Sequence, residues 1–230
     1  MKKIISVFLF SFIVSFSFAQ TKSQQKSESY KEMQSVMMAR QLAKYGYDNN
    51  KPIYLITSAQ TLIDHPVKGD FTPLKITDST DTNTIKHKSK RTIKLDPSIL
   101  LADAKKMADK NDTALLAMIK SVESSIPKDY EKKRGRKFSP LAQEYTIDSQ
   151  SSKSLLTTFN GKEVAEVLVS GDGKTDLDLF VYDASGKLVS SDISNTDNCY
   201  VTFTPNQTAN FTIIIKNKGK GYNDCMLMTN

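Results

Sequence analysis

Apolar residues change their spacing once along this chain, from intervals of three and four to intervals of two. The helical interval comes first. Met38, Leu42 and Tyr45 share one face of a first predicted helix, which Gly46 stops. Residues 48–52 read as a turn, with Pro52 in the first turn of a second helix, where its missing N–H costs nothing. Leu55, Ala59 and Leu62, flanked by Ile56 and Ile63, give that helix a broad apolar face, and His65 and Pro66 end it. A third helix opens at Asp96 and Pro97, an N-cap followed by proline at the first helical position. Leu100, Ala104 and Met107 form its stripe. A fourth starts near Asn111, Asp112 and Thr113 and carries Leu115, Ile119, Val122 and Ile126 up to Pro127. Short connections make antiparallel neighbours, so the four are expected as two helical hairpins packed in a small bundle.

From about Ser139 the interval becomes two. Candidate strands are 142–147, 153–159, 163–170, 176–183, 187–191, 199–204, 210–217 and 224–229, with turn residues between them. Ala165, Val167 and Val169 share a face, as do Leu177, Leu179 and Val181, and Phe211, Ile213 and Ile215. Short alternating strands at this spacing predict an antiparallel β-sandwich or jelly roll. The expected class is α+β in two domains: a helical domain over 31–127, interrupted by a basic insertion at 66–95, then a linker at 128–139 and a sandwich over 140–230.

The first residues read as an export signal. Lys2 and Lys3 precede an apolar run from Ile4 to Phe18, and Ser17 and Ala19 are small residues at the −3 and −1 positions of a signal-peptidase site. Cleavage after Ala19 is expected, followed by a polar, disordered leader over 20–30. The run falls short of the roughly 20 residues of a permanent membrane anchor, and no second long apolar stretch occurs. The mature product is therefore expected to be soluble, in the periplasm or outside the cell.

Charge divides the chain in the same place as periodicity. Residues 141–230 hold 7 Lys against 11 Asp or Glu, whereas the whole chain carries +7. The excess positive charge lies in the helical half, with dense runs at Lys86–Arg91 and Lys132–Lys137. Such runs serve either as solvated linker or as a surface for acidic glycan or anionic headgroups. They lack the interleaved aromatics of a base-stacking surface, and an exported chain has little access to nucleic acid, so no nucleic-acid partner is expected.

Three segments of the sandwich region carry a family resemblance. Gly171–Asp183 (GDGKTDLDLFVYD), Asp197–Pro205 (DNCYVTFTP) and Phe211–Asn217 (FTIIIKN) resemble the bacterial pre-peptidase C-terminal domain, a β-sandwich module of secreted bacterial proteins. The likeness spans roughly residues 140–230, and the helical half resembles no characterised family. It implies a fold and secretion but no reaction. Some members bind calcium and some bind collagen or other polymers. Asp176 and Asp178 match the family's acidic pair, with Asp172 and Asp183 nearby. Several hard oxygen ligands of this kind suit calcium. The same aspartates equally suit turns and edge protection, and the acidic linker that completes the site in collagen-binding members is not evident before Glu163. Phe180 and Tyr182 have the opposite parity to Leu179 and Val181. On an open face they would form a ligand-binding strip, and on a covered face they would be core.

Cys199 and Cys225 both have core-facing parity. An exported pair suggests a disulfide, with two buried free thiols as the alternative. No catalytic constellation assembles. His65 sits at a helix end, His87 lies in the charged insertion, and no nucleophile elbow, zinc-protease helix, P-loop or dinucleotide fingerprint is present. The expected function is non-enzymatic: an exported accessory protein whose sandwich docks on a polymer, glycan or protein at the cell envelope or beyond. One alternative is a secretion or assembly helper that binds a protein through the hairpins, around Leu101 and Leu115. Another is a hydrolase using Asp176 and Asp178.

Overall fold

A computed structural model describes residues 27–79, 93–130 and 139–230. The signal segment, the leader up to residue 26, His87 and both dense basic runs lie outside the described residues.

Among the described residues four helices form, three of them behind side-chain caps and one behind a proline. Ser27 caps α1 (Glu28–Asp48) by accepting from the Tyr30 amide. Pro52 opens α2 (Pro52–Asp64). Asp96 accepts from the Ser98 and Ile99 amides ahead of α3 (Pro97–Met107), and Asp112 accepts from the Leu115 amide ahead of α4 (Thr113–Ser125). The helix α2 lies between α1 and α3. Close approach of α1 and α2 depends on Gly46, where a Cβ would come within 2.9 Å of Leu55 Cδ2 and 3.1 Å of the Lys51 carbonyl oxygen.

The buried face of α1 differs from the expected one. Met33, Val36, Ala39, Arg40 and Ala43 are buried, whereas Met38 and Tyr45 are 50% and 49% exposed. The cause is that α1 is covered on two sides, by α2 and by a sheet. Small residues face the neighbouring helix there, and the larger Met38 and Tyr45 are left outside.

Among the described residues ten strands form, the last eight on the alternating runs: β1 (Gly69–Asp70), β2 (Lys75–Ser79), β3 (Leu141–Ile147), β4 (Ser152–Phe159), β5 (Ala165–Ser170), β6 (Leu177–Tyr182), β7 (Leu188–Asp192), β8 (Asn198–Phe203), β9 (Ala209–Asn217) and β10 (Asn223–Thr229). They form two sheets, A in the order β1–β3–β10–β5–β8 and B in the order β2–β4–β9–β6–β7. The pairs β3·β10, β4·β9, β5·β8 and β6·β7 are nested and antiparallel. A single long antiparallel ribbon has thus doubled back between β6 and β7 and rolled into two layers, the jelly-roll arrangement. Val167, Val169, Leu177, Leu179, Val181, Ile213 and Ile215 are fully buried between the layers.

The α+β class and the sandwich are present, and the helical half is fused to the sandwich through a common core. Ala142, Leu168, Met226 and Met228 point out of sheet A into the apolar cluster formed by Leu55, Leu62, Leu100, Leu101 and Ile119. The segment expected as an insertion also joins the sandwich. Its residues 69–70 pair with β3 in sheet A, and residues 75–79 pair with β4 in sheet B. Phe71 lies between them and plugs the core. Sequence gave no sign of this because β2 is exposed at every position and so has no alternation. Among the described residues no helix is long and apolar enough to cross a membrane.

Candidate functional site

The two outer faces of the sandwich have different fates. The outer face of sheet A lies under the helices. Arg40 enters it from α1, giving Nε and Nη2 to the two carboxylate oxygens of Glu144 at 2.5 and 2.8 Å. It also donates to the Gly171 and Asp224 carbonyls at 3.2 and 3.0 Å. Burial opposes the charge on Arg40, but the Glu144 carboxylate outweighs it and raises the guanidinium above its ordinary value. At the start of α1, Ser27 Oγ donates to buried Glu166 Oε1 at 2.5 Å, and Tyr200 OH donates to the same oxygen. A carboxylate at a helix N-terminus is favourably placed against the helix dipole. Neither anchor leaves a motif in the sequence. The available signal was one arginine among the alanines of α1.

The outer face of sheet B carries no covering element among the described residues. Phe180 and Tyr182 point to this side, half-buried, with ring centroids 6.4 Å apart and planes 28° from parallel. Phe180 lies opposite Ile214 and Tyr182 opposite Thr212 on β9. One strand further, Ser154 and Leu156 continue the two rows. A shallow groove of about 480 Å³ runs along Leu156, Tyr182, Asn210, Thr212 and Ile214 and ends at the 183–186 turn. The two aromatics therefore sit in a strip of mixed apolar and hydroxyl character, backed by the rigid centre of a sheet.

The four candidate calcium ligands do not converge. Asp176 and Asp178 share Lys218, whose Nζ lies 3.0 and 3.5 Å from them. The hydrogen bond to Asp176, together with the Asp178 charge, raises that lysine above its ordinary value. Asp172 pairs with Lys174 at 2.5 Å, on a loop near Arg40. Asp183 lies beyond the far end of β6, about 17 Å of strand from Asp178. It accepts from the Ser185 amide and hydroxyl and from the Lys187 amide, and the Ser185 hydroxyl leads these in holding its carboxyl below the usual range. Among the described residues no group of three or more His, Cys, Asp or Glu side chains is placed to hold a metal ion. Asp176 and Asp178 at the start of β6 are engaged by one lysine, Asp172 by another, and Asp183 lies past the strand's far end.

The expected disulfide is also absent. Cys199 and Cys225 are buried free thiols. Both face the core as their parity requires, but β5 runs between their strands. Val169 pairs with Cys199 on one side and with Leu227 on the other. Two strand spacings and a two-residue stagger leave the Cα atoms about 12 Å apart, beyond the roughly 7 Å reach of a bridge. Burial pushes the Cys199 thiol up to about 12, and it donates to the Leu177 carbonyl at 3.0 Å. Burial raises Cys225 as well.

His65 is the C-cap of α2 and lies 3.0 Å from Glu32. Leu101 is fully buried in the common core and Leu115, partly buried, packs against it, so both residues help hold the helical layer together.

No family model matches the sequence, and no curated protein matches it. Among solved structures, the chain is similar to the pre-peptidase C-terminal domain of a collagenase from Bacillus anthracis, at 7% identity over 40% of this chain and 88% of that one, with a TM-score of 0.32. It is also similar to PliG of Aeromonas hydrophila, a periplasmic inhibitor of g-type lysozyme, at 10% identity over 40% of this chain and 83% of that one, with a TM-score of 0.27. Neither supplies a role for any residue of this chain.

Proposed function

We propose that this chain is an exported accessory protein that binds an extended glycan polymer through the outer face of sheet B. The observation that carries this reading is the asymmetry of the sandwich. Helices cover sheet A, while sheet B leaves the stacked Phe180–Tyr182 pair on a half-buried strip. Aromatic faces give large contact area at low entropic cost, and neighbouring hydroxyls and amides fix orientation. A shallow, open groove beside Tyr182 suits a chain lying on the sheet rather than a compact substrate held for turnover. The leader read from residues 1–19 supports action outside the cytoplasm, where such polymers occur.

The test is affinity electrophoresis of the full mature chain through gels containing neutral polysaccharides. Retardation is expected in at least one, and Phe180→Ala with Tyr182→Ala should abolish it while the variant, somewhat less stable, still unfolds cooperatively. Retardation that survives the double substitution contradicts the reading.

A further inference from the structure

A second binding surface lies across the molecule from that strip. Two clefts, of about 250 and 350 Å³, meet where the C-terminal half of α1 passes the loops at one end of the sandwich. Arg40, Lys44 and Asp48 line both, so the two form one trough. Junctions between structural layers are common places for small-ligand sites, and the combined size is in the ordinary range of roughly 300–1,000 Å³.

The chemistry of the trough is selective. Each of its cations is already committed: Arg40 to Glu144, Lys44 to Asp48, and Lys174 to Asp172. Lys174 also lies 4.0 Å above the Tyr222 ring. Among the described residues that line the trough, every cation therefore already faces a carboxylate. The free capacity is instead amide and carboxylate. Gln41 makes no side-chain hydrogen bond among the described residues. Among the described residues Asn49 and Asn198 use only their Nδ2 groups, on the Tyr45 carbonyl and on Asp197, and their carbonyl oxygens remain as acceptors. Tyr45, half-exposed and braced edge-on by Tyr54 at 4.7 Å, provides a ring face at the rim. Carboxamides and carboxylates that can each engage adjacent hydroxyls, next to a fixed aromatic ring, match a neutral sugar: polar at its edge and apolar on its C–H face.

We infer that this trough is a saccharide site for one to three neutral sugar units, distinct from the polymer strip on sheet B. It does not rest on the reading of that strip, because it uses other residues on the opposite side of the sandwich. Together the two surfaces would let one molecule engage a chain and a chain end at once, so that the second contact is intramolecular.

Isothermal titration of the full mature chain with neutral tetrasaccharides of glucose, mannose and N-acetylglucosamine tests this, with a sulfated tetrasaccharide and spermidine as charged controls. Saturable binding of at least one neutral sugar is expected. Tyr45→Ala should weaken it about fivefold to tenfold, as loss of an aromatic stack does. Gln41→Ala should weaken it too, and Met118→Ala, exposed on α4 away from both surfaces, should leave it unchanged. Gln41 and Tyr45 lie on the exposed side of α1, so both variants should fold. Absence of binding by every neutral sugar overturns the inference. So does affinity that Tyr45→Ala and Gln41→Ala both leave intact, or a preference for either charged control.

Discussion

Arg40 is the residue on which the joint between helices and sandwich turns. It brings a full charge into a buried joint, and that charge is tolerable because a bidentate carboxylate and two carbonyls receive it. Arg40→Met leaves Glu144 without its cation and two carbonyls short of a donor. Urea denaturation should show a loss of about 3–5 kcal/mol, as for other broken buried pairs. Arg40→Lys should recover only part, since an ammonium cannot form the fork. A loss below about 1 kcal/mol, typical of a surface pair, would contradict this assignment. The cysteines make a second prediction at the same scale. Neither should react with a thiol reagent in the native protein, because both are buried and protonated. Both should react in denaturant without reductant. Failure of either to do so after unfolding would mean that the bridge forms after all. Core-facing parity for both cysteines was legible in the sequence. Their separation was not, because it depends on β5 lying between β8 and β10, and strand order is a long-range property that alternation does not encode.

At the level of elements, local chemistry governs where segments start and stop. The cap at Asp96 and the proline after it fix the start of α3, and all eight strands from β3 to β10 begin and end within about two residues of their alternating runs. Asp96→Ala should cost about 1 kcal/mol, the usual worth of such a cap, read as a shift in the denaturation midpoint; no shift would show that the tertiary contacts of α3 hold it unaided. Three elements escaped sequence reading in whole or in part for physical reasons, and β1, two residues long, is too short to carry a pattern. The edge strand β2 has no buried side to leave a pattern. The helix α1 is buried on two sides, so a single-stripe rule selects the wrong face. The strip at Phe180 and Tyr182 stood between these cases. Their shared parity was visible, but whether a layer covered that face depended on which sheet the helices chose. They chose sheet A, whose strand β5 is buried at all six positions, whereas β6 leaves Phe180 and Tyr182 half-buried.

For the whole molecule, the consequence is that the sandwich is built to be covered on one side. Residues 139–230 alone would expose Leu168, Met226 and Met228, each worth about 1.5–3 kcal/mol when buried. They would also lose Arg40 from Glu144 and Ser27 from Glu166. Against a total stability of about 5–15 kcal/mol for a typical domain, this is enough to unfold it. The isolated segment should therefore melt far below the full chain or aggregate, and an equal melting temperature would show that the helical layer is dispensable. The covered side then leaves one broad face for a polymer. Hydroxyl-radical footprinting of the full mature chain, with and without a retarding polysaccharide, addresses that directly. Bound polymer should protect Phe180 and Tyr182 while Met118, exposed on α4, is oxidised as before. Protection of Met118 with Phe180 and Tyr182 still labelled would place the polymer on the helices and contradict the account.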